Sequence, residues 1–456
     1  MMRRYGTALI TLLLLIPTTA AANDTQAEPR PAPPASDVLH FVDEAGLADL
    51  LRMGDRTSLL QLRTRAAQWP DSLYQMATES AFYRLDGQYD EAINMAERCL
   101  AESRRRLLYI PTILCGLIGA STRVAQGDLP AWARETLRTR EITLEVARRA
   151  RVDTPIDRID VFLTIPDATP LLDRKRPSTI ATGPRYIPFL PAPDGAQQTR
   201  DLLRLRIDGR SADAIINTAA MQTMLAADLV PPPFMTWTQP DANPGAEVPP
   251  RMLAQAGELQ LGDLKIASPF IATHPHARNH GRDGDIGLDV LSRFGKVLIE
   301  ERGLAVAGPA VDEVRCYKPL SFLTDLPGLE GALIMQLNID GTDRDVVVAS
   351  AWLDELIQRI PAGEPFPPGQ DAVVVSDSIS GTSLARTRSS VAWIVESGLM
   401  FPVQMEVRRG SHQLSPRFFA IGAGILRKAS IFLDFDNRKA CLVPKISLQI
   451  GREPED

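Results

Sequence analysis

The second half of this chain contains itself twice. The segment LRLRIDGRSADAIINTAA at 203–220 matches MQLNIDGTDRDVVVASAW at 335–352, offset by 132. Both read as an alternating strand, an Asp-Gly hairpin turn, a second apolar strand and a small-residue elbow. Further on, DIGLDVLSRFGKVLIEERGLAVAG matches AIGAGILRKASIFLDFDNRKACLVP, with Ile286-Gly287 against Ile421-Gly422 at an offset of 135. Two blocks in the same order at nearly the same offset imply a duplicated β unit. The elbows of the two copies are Asn217-Thr218-Ala219 and Ala349-Ser350-Ala351.

These blocks resemble the retropepsin-like and pepsin-like aspartic proteases, in particular bacterial members with an Asp-Thr-Gly-Ala elbow and a later Ile-Leu-Gly-Leu-Asp-Phe-Leu-like segment. The resemblance covers roughly 200–308 and 330–445, about half the chain. It implies an all-β bilobal domain with a pseudo-two-fold internal repeat and a cleft between the halves, each half offering its elbow to the centre. It also implies that Gly287 and Gly422 pack behind the elbows.

Aspartic proteolysis needs two carboxylates flanking one water, one ionised as general base and one protonated against the scissile carbonyl. Carried over residue by residue, the catalytic positions are Asn217 and Ala349. An amide cannot ionise, and Ala has nothing to give. Thr218 and Ser350 keep the hydroxyls that brace the two elbows, while Ala219 and Ala351 replace the family's Gly. Asp377-Ser378 offers a displaced carboxylate, but Asp377 lies 44 residues before Ile421. Asn217 stands 69 residues before Ile286 and Ala349 stands 72 before Ile421, so the spacing favours Ala349.

The first half has a different texture. Residues 1–22 carry Arg3 and Arg4, an apolar run and a small-residue cleavage site, the pattern of a secretory signal, so the protein is expected to be exported and periplasmic. A Pro-rich linker follows at 23–36. From 37 to 165 apolar residues recur at three and four, the mark of helices. There YRLDGQYDEAINMAERCLA resembles the second half of a tetratricopeptide repeat, with Gly87 at the turn, then Tyr89, Ala92, Ala96 and Cys99. AQGDLPAWARETL repeats the idea around Gly127. The fold expected is therefore multidomain: an all-α helical-hairpin, tetratricopeptide-like domain before the all-β one. Further expected boundaries are a Pro-rich linker at 166–200, lobe 1 at 201–310, an inter-lobe linker at 311–330, lobe 2 at 331–445 and a tail at 446–456.

Four cysteines in an exported chain suggest two disulfides, Cys99 with Cys115 and Cys316 with Cys441, against the alternative of four buried thiols. A net charge of −6 over 456 residues gives no electrostatic case for nucleic acid or anionic membrane, and no stretch after the signal is long enough to span a bilayer. His274, His276 and His280, near Asp283 and Asp285, form a loose metal candidate whose spacing matches no standard zinc pattern, and a polar loop is the plainer reading. No cofactor is expected. Three functional readings stay open: a cleft that binds an extended peptide or protein segment without cutting it, a peptidase with a displaced carboxylate or a partner chain, and an adaptor acting through its helices.

Overall fold

The computed structural model describes residues 56–151, 167–181, 186–190, 202–237, 251–274, 282–324, 328, 331–360, 364–366, 370–378, 381–396, 398–409 and 418–445. The signal at 1–22, the linker at 23–36, the tail at 446–456, and His276 and His280 lie outside them. A helical segment comes first and a large β-rich region follows.

Five helices run in sequence: α1 (Arg56–Ala66), α2 (Leu73–Leu85), α3 (Tyr89–Arg105), α4 (Tyr109–Ala125) and α5 (Leu129–Ala150). Ser72 caps α2 by accepting from Gln75 N at 3.0 Å, and Asp128 caps α5 by accepting from Ala131 N at 2.9 Å. Each helix packs on the next across a short turn, and the turns after α2 and α4 hold Gly87 and Gly127 at φ 73° and 70°. On α3 the small residues Ala92, Ala96 and Cys99 are fully buried, which brings α4 close enough for a disulfide between Cys99 and Cys115. None of the described helices is long and apolar enough to cross a membrane.

The helices are not a separate body. Ala120, Leu129 and Trp132 share a core with Met235, Leu253 and Phe270 of the β region. Arg84, buried in α2, donates to Ser121 Oγ and to the Thr324 carbonyl at 3.3 Å.

Three sheets make up the β region. In the first, β3 (Leu202–Ile207) and β4 (Arg210–Ile216) form a hairpin. Its turn residues Asp208 and Gly209 have φ 47° and 82°, a geometry that Asp-Gly adopts with little strain. β4 then pairs in parallel with β11 (Gly284–Ile286), which is antiparallel to β5 (Met224–Ala226). β5 in turn lies parallel to β10 (Phe270–His274), which is antiparallel to β7 (Arg251–Gln255). The path returns to β3 through β8 (Glu258–Leu261). The first sheet is completed by β6 (Met235–Trp237) and β9 (Leu264–Ala267). The chain leaves β11 through a short helix, α6 (Leu288–Leu291).

A like path runs through the third sheet. β15 (Gly331–Ile339) and β16 (Thr342–Val348) form a hairpin with Asp340 and Gly341 at φ 50° and 79°. β16 is parallel to β21 (Phe418–Ile421), which is antiparallel to β17 (Leu356–Ile360), itself parallel to β20 (Leu399–Arg409). The long β19 (Gly381–Glu396) pairs with β20, with β18 (Gln370–Ser378) and also with β15, closing six strands on themselves. In the first sheet the corresponding stretch is broken into β7 and β8 at Ala256-Gly257. Asp208 Oδ1 accepts from Gly257 N and Glu258 N there at 2.9 Å, as Asp340 Oδ1 accepts from Trp393 N at 2.8 Å.

The second sheet joins the halves. β12 (Lys296–Glu300) pairs antiparallel with β22 (Ala429–Asp434), flanked by β13 (Gly303–Ala305) and β23 (Lys439–Pro444). Cys316 and Cys441 are disulfide-bonded, tying the chain past the short helix α7 (Pro309–Asp312) to β23.

Two stretches expected as linkers are structured. Within 166–200 the structure places β1 (Ser178–Ala181) on β9 and β2 (Tyr186–Pro188) on β13. Within 311–330 it places β14 (Leu320–Thr324) on β15. All three are terminal strands of their sheets. An edge strand has one side free of ladder bonds, so it tolerates the Pro-rich texture that suggests a linker.

Candidate functional site

The parallel pairs β4–β11 and β16–β21 deliver the two elbows. Past the end of β4, Asn217 N donates to Ile286 O at 2.9 Å, and past β16, Ala349 N donates to Ile421 O at 2.8 Å. Each elbow then turns, Ala220 N reaching Asn217 O at 3.1 Å and Trp352 N reaching Ala349 O at 2.9 Å.

The elbows meet. Thr218 N donates to Ser350 Oγ at 3.1 Å, and Ser350 N donates to Thr218 Oγ1 at 3.0 Å. Thr218 Oγ1 lies 2.7 Å from the Val348 carbonyl and Ser350 Oγ lies 2.9 Å from the Ile216 carbonyl. Each hydroxyl thus accepts from the opposite backbone and donates to the opposite strand. Thr218 is fully buried and Ser350 nearly so, where such bonds are costly to leave unmade.

Behind each elbow, a glycine makes room for it. A Cβ on Gly287 would stand 2.7 Å from Gln222 O and Thr223 N, and one on Gly422 would stand 2.6 Å from Asp354 O. Neither position has space for a side chain.

The positions beside the grip carry no carboxylate. Ala349 is fully buried against Ala219, Ile357 and Ala420. Asn217 donates from Nδ2 to Asp285 Oδ2 at 2.9 Å and accepts from Ala219 N at 3.1 Å. Asp285 is 3 % exposed, and its Oδ1 faces Arg282 at 3.5 Å. The amide is therefore oriented by a buried carboxylate rather than by the opposite elbow. Sequence reasoning gave Asp285 only to the loose metal group, because its partner Asn217 is 68 residues away.

Asp377 sits beside the turn of the β18–β19 hairpin, paired in register with Thr382, on an edge strand that does not pair with β16. His274 ends β10. Of its proposed companions, Asp283 Oδ2 accepts from Asp213 N at 2.9 Å and Asp285 holds Asn217. Among the described residues no group of three His, Cys, Asp or Glu side chains is placed to hold a metal ion.

Two further acids stand near the elbows. Asp289 accepts from Thr223 N and Oγ1 at 2.8 and 2.9 Å, and burial pushes its carboxyl up to about 6. Asp354, five residues past Ala349, is pushed up to about 6 by burial and by the adjoining Glu406 carboxyl. Arg408 Nη2 holds Asp354 and Glu406 together at 3.0 Å each. That guanidinium makes the pair a clamped structural network, unlike two carboxylates flanking a free water.

A scan against models of protein families finds no match to the chain. A search of curated proteins finds no significant relative either.

Proposed function

We propose that residues 201–310 and 331–445 are two pseudo-symmetric, aspartic-protease-like lobes whose shared cleft binds an extended peptide or protein segment without cutting it. The observation that carries this reading is the reciprocal Thr218–Ser350 grip beside Asn217 and Ala349. The brace that such a dyad would need is in place, and both carboxylates are absent. The like hairpins, with equivalent Asp208 and Asp340 tethers, support duplication. An extended peptide is held mainly by main-chain hydrogen bonds, which need no acid. The helices, read as tetratricopeptide-like hairpins, would present the lobes or dock a second protein. The two disulfides support export to an oxidising compartment, the periplasm on this reading.

The test incubates residues 23–456 with an unbiased peptide mixture from acid to neutral pH and reads both products and retained peptides by mass. The variants Ser350→Ala and Asp377→Ala run alongside. The expected result is retention without cleavage, weakened by Ser350→Ala. Cleavage that is lost in Asp377→Ala would establish a peptidase with a displaced base instead. Absence of both retention and cleavage would remove the cleft from consideration.

A further inference from the structure

A cavity of about 530 Å³ opens where the helices meet the β region, a size ordinary for small-molecule sites. It is walled by the α4–α5 turn, by Met221 and Gln222 just past the first elbow, by the short helix α6, and by the turn between β22 and β23. Apolar surface comes from Val124, Leu129, Phe270, Leu288, Phe322 and Leu333. Four guanidiniums, those of Arg123, Arg176, Arg293 and Arg438, also line it.

The partners of these four charges decide what the cavity can take. Arg176 faces Asp128 Oδ2 at 3.4 Å, while Oδ1 of the same carboxylate caps α5. Among the described residues Arg123 reaches the Gln126 amide oxygen at 3.3 Å, and its buried Nε has no partner there. Arg438 lies 4.6 Å over the Tyr89 ring. Arg293 donates from Nε to the Asp289 backbone carbonyl at 3.3 Å, not to its carboxylate. Burial holds the Arg293 guanidinium below its ordinary value, with Asp289 opposing and Arg176 adding to the effect.

Among the described residues the walls carry three carboxylates, Asp128, Asp289 and Asp436, one fewer than the guanidiniums. Two of them are committed, Asp128 to the α5 cap and Arg176, and Asp289 to Thr223. Among the described residues, Arg123, Arg293 and Arg438 have no carboxylate within ion-pair distance. Gathering such charges at a partly desolvated surface is costly unless a counter-charge enters.

We propose that this cavity binds a small organic anion. Its carboxylate or phosphate head is held by the forks of Arg123 and Arg293, and its apolar body lies against Leu129, Phe270 and Phe322. Guanidinium forks match both head groups in geometry. The site draws its residues from the helices and from the chain leaving the first elbow, so it exists only in the joined molecule. It does not depend on how the elbows themselves are read.

Calorimetric titration of the folded full chain tests this with octanoate, octyl phosphate, 1-octanol and inorganic phosphate. At least one of the two amphiphilic anions should bind one to one, and the tighter of the pair identifies the head group. Octanol and inorganic phosphate should bind at least tenfold more weakly. Arg123→Met and Arg293→Met should each weaken the preferred anion tenfold or more, and Arg98→Met, on the exposed face of α3, should leave it unchanged. If either cavity variant fails to fold, the affinity of the unaltered chain should still fall as sodium chloride is raised. Octanol binding as well as octanoate would overturn the charged site, and inorganic phosphate binding as well as octyl phosphate would overturn the apolar one. Absence of binding at millimolar concentration, or full affinity in both arginine variants, would overturn the proposal outright.

Discussion

Replacing Ser350 with Ala removes one oxygen and disturbs three contacts. Ser350 Oγ donates to Ile216 O at 2.9 Å, accepts from Thr218 N at 3.1 Å and lies 3.2 Å from Thr218 Oγ1. The Thr218 N–H is left buried without its acceptor, at a cost of about 1–3 kcal/mol, and the lost hydroxyl bond adds about 1 kcal/mol. The expected destabilisation is about 2–4 kcal/mol. Thr218→Val keeps the shape and loses the bond to Val348 O at 2.7 Å and the acceptor for Ser350 N at 3.0 Å, so its expected cost is similar.

Because the two hydroxyls serve each other's backbone, the costs should not add. The double variant should fall short of the sum by about 1–2 kcal/mol, the size of coupling seen between residues in one hydrogen-bond network. Urea unfolding with the disulfides intact measures all four corners of the cycle. Single losses below about 0.5 kcal/mol, adding without coupling, are what exposed independent side chains show. That outcome would refute the claim that the grip joins the halves.

Two other outcomes follow from buried groups. Asp289, at about 6, sits above the ordinary carboxylate value, so its stabilising effect is complete in acid and is lost as pH rises from about 4 to about 6. Asp289→Asn should flatten that part of the stability profile and gain about 2–3 kcal/mol near neutrality, and an unchanged profile in acid titration of the melting point would count against the assignment. The Cys316–Cys441 bond spans 125 residues and Cys99–Cys115 spans 16. Loop entropy gives about 4–5 and about 3 kcal/mol respectively. Paired Ser substitutions at 316 and 441 should therefore lower the urea midpoint more than those at 99 and 115, and the reverse order would show that strain or residual structure dominates.

What the sequence made legible is local. An Asp-Gly turn between alternating strands marks β3–β4 and β15–β16 because that turn admits few other residues. The spacing of 69 and 72 residues from each elbow to its later Ile-Gly reflects parallel pairs that the structure shows in register, Ile216 with Ile286 and Val348 with Ile421. Helices α2 to α5 were marked by apolar period. β1, β2 and β14 were hidden because an edge strand of three to five residues needs neither a long apolar run nor freedom from Pro. The arginine-lined cavity had no signature at all, since Arg123, Arg176, Arg293 and Arg438 come from four separate segments. Only the folded chain gathers them.

Asp285 bears directly on whether carboxylates placed at the two elbows could act as the pair that the proposed reading finds missing. A carboxylate introduced by Asn217→Asp would face Asp285 Oδ2 at the 2.9 Å now spanned by the amide. Two carboxylates at that distance repel by about 6 kcal/mol at an effective dielectric of about 20, less what Arg282 returns from 3.5 Å. They would share a proton with each other, not across to position 349. The repulsion sets the sign: Asn217→Asp should be nearly neutral in acid, where the pair holds protons, and should lose about 2–4 kcal/mol toward neutrality. The pair Asn217→Asp with Ala349→Asp should accordingly show no peptide cleavage from acid to neutral pH. Adding Asp285→Ala, which removes the competing acid, is the only change of the three that frees the new carboxyl to turn toward position 349. Cleavage by the double variant with Asp285 still present would show that a dyad can work beside it, against the reasoning here.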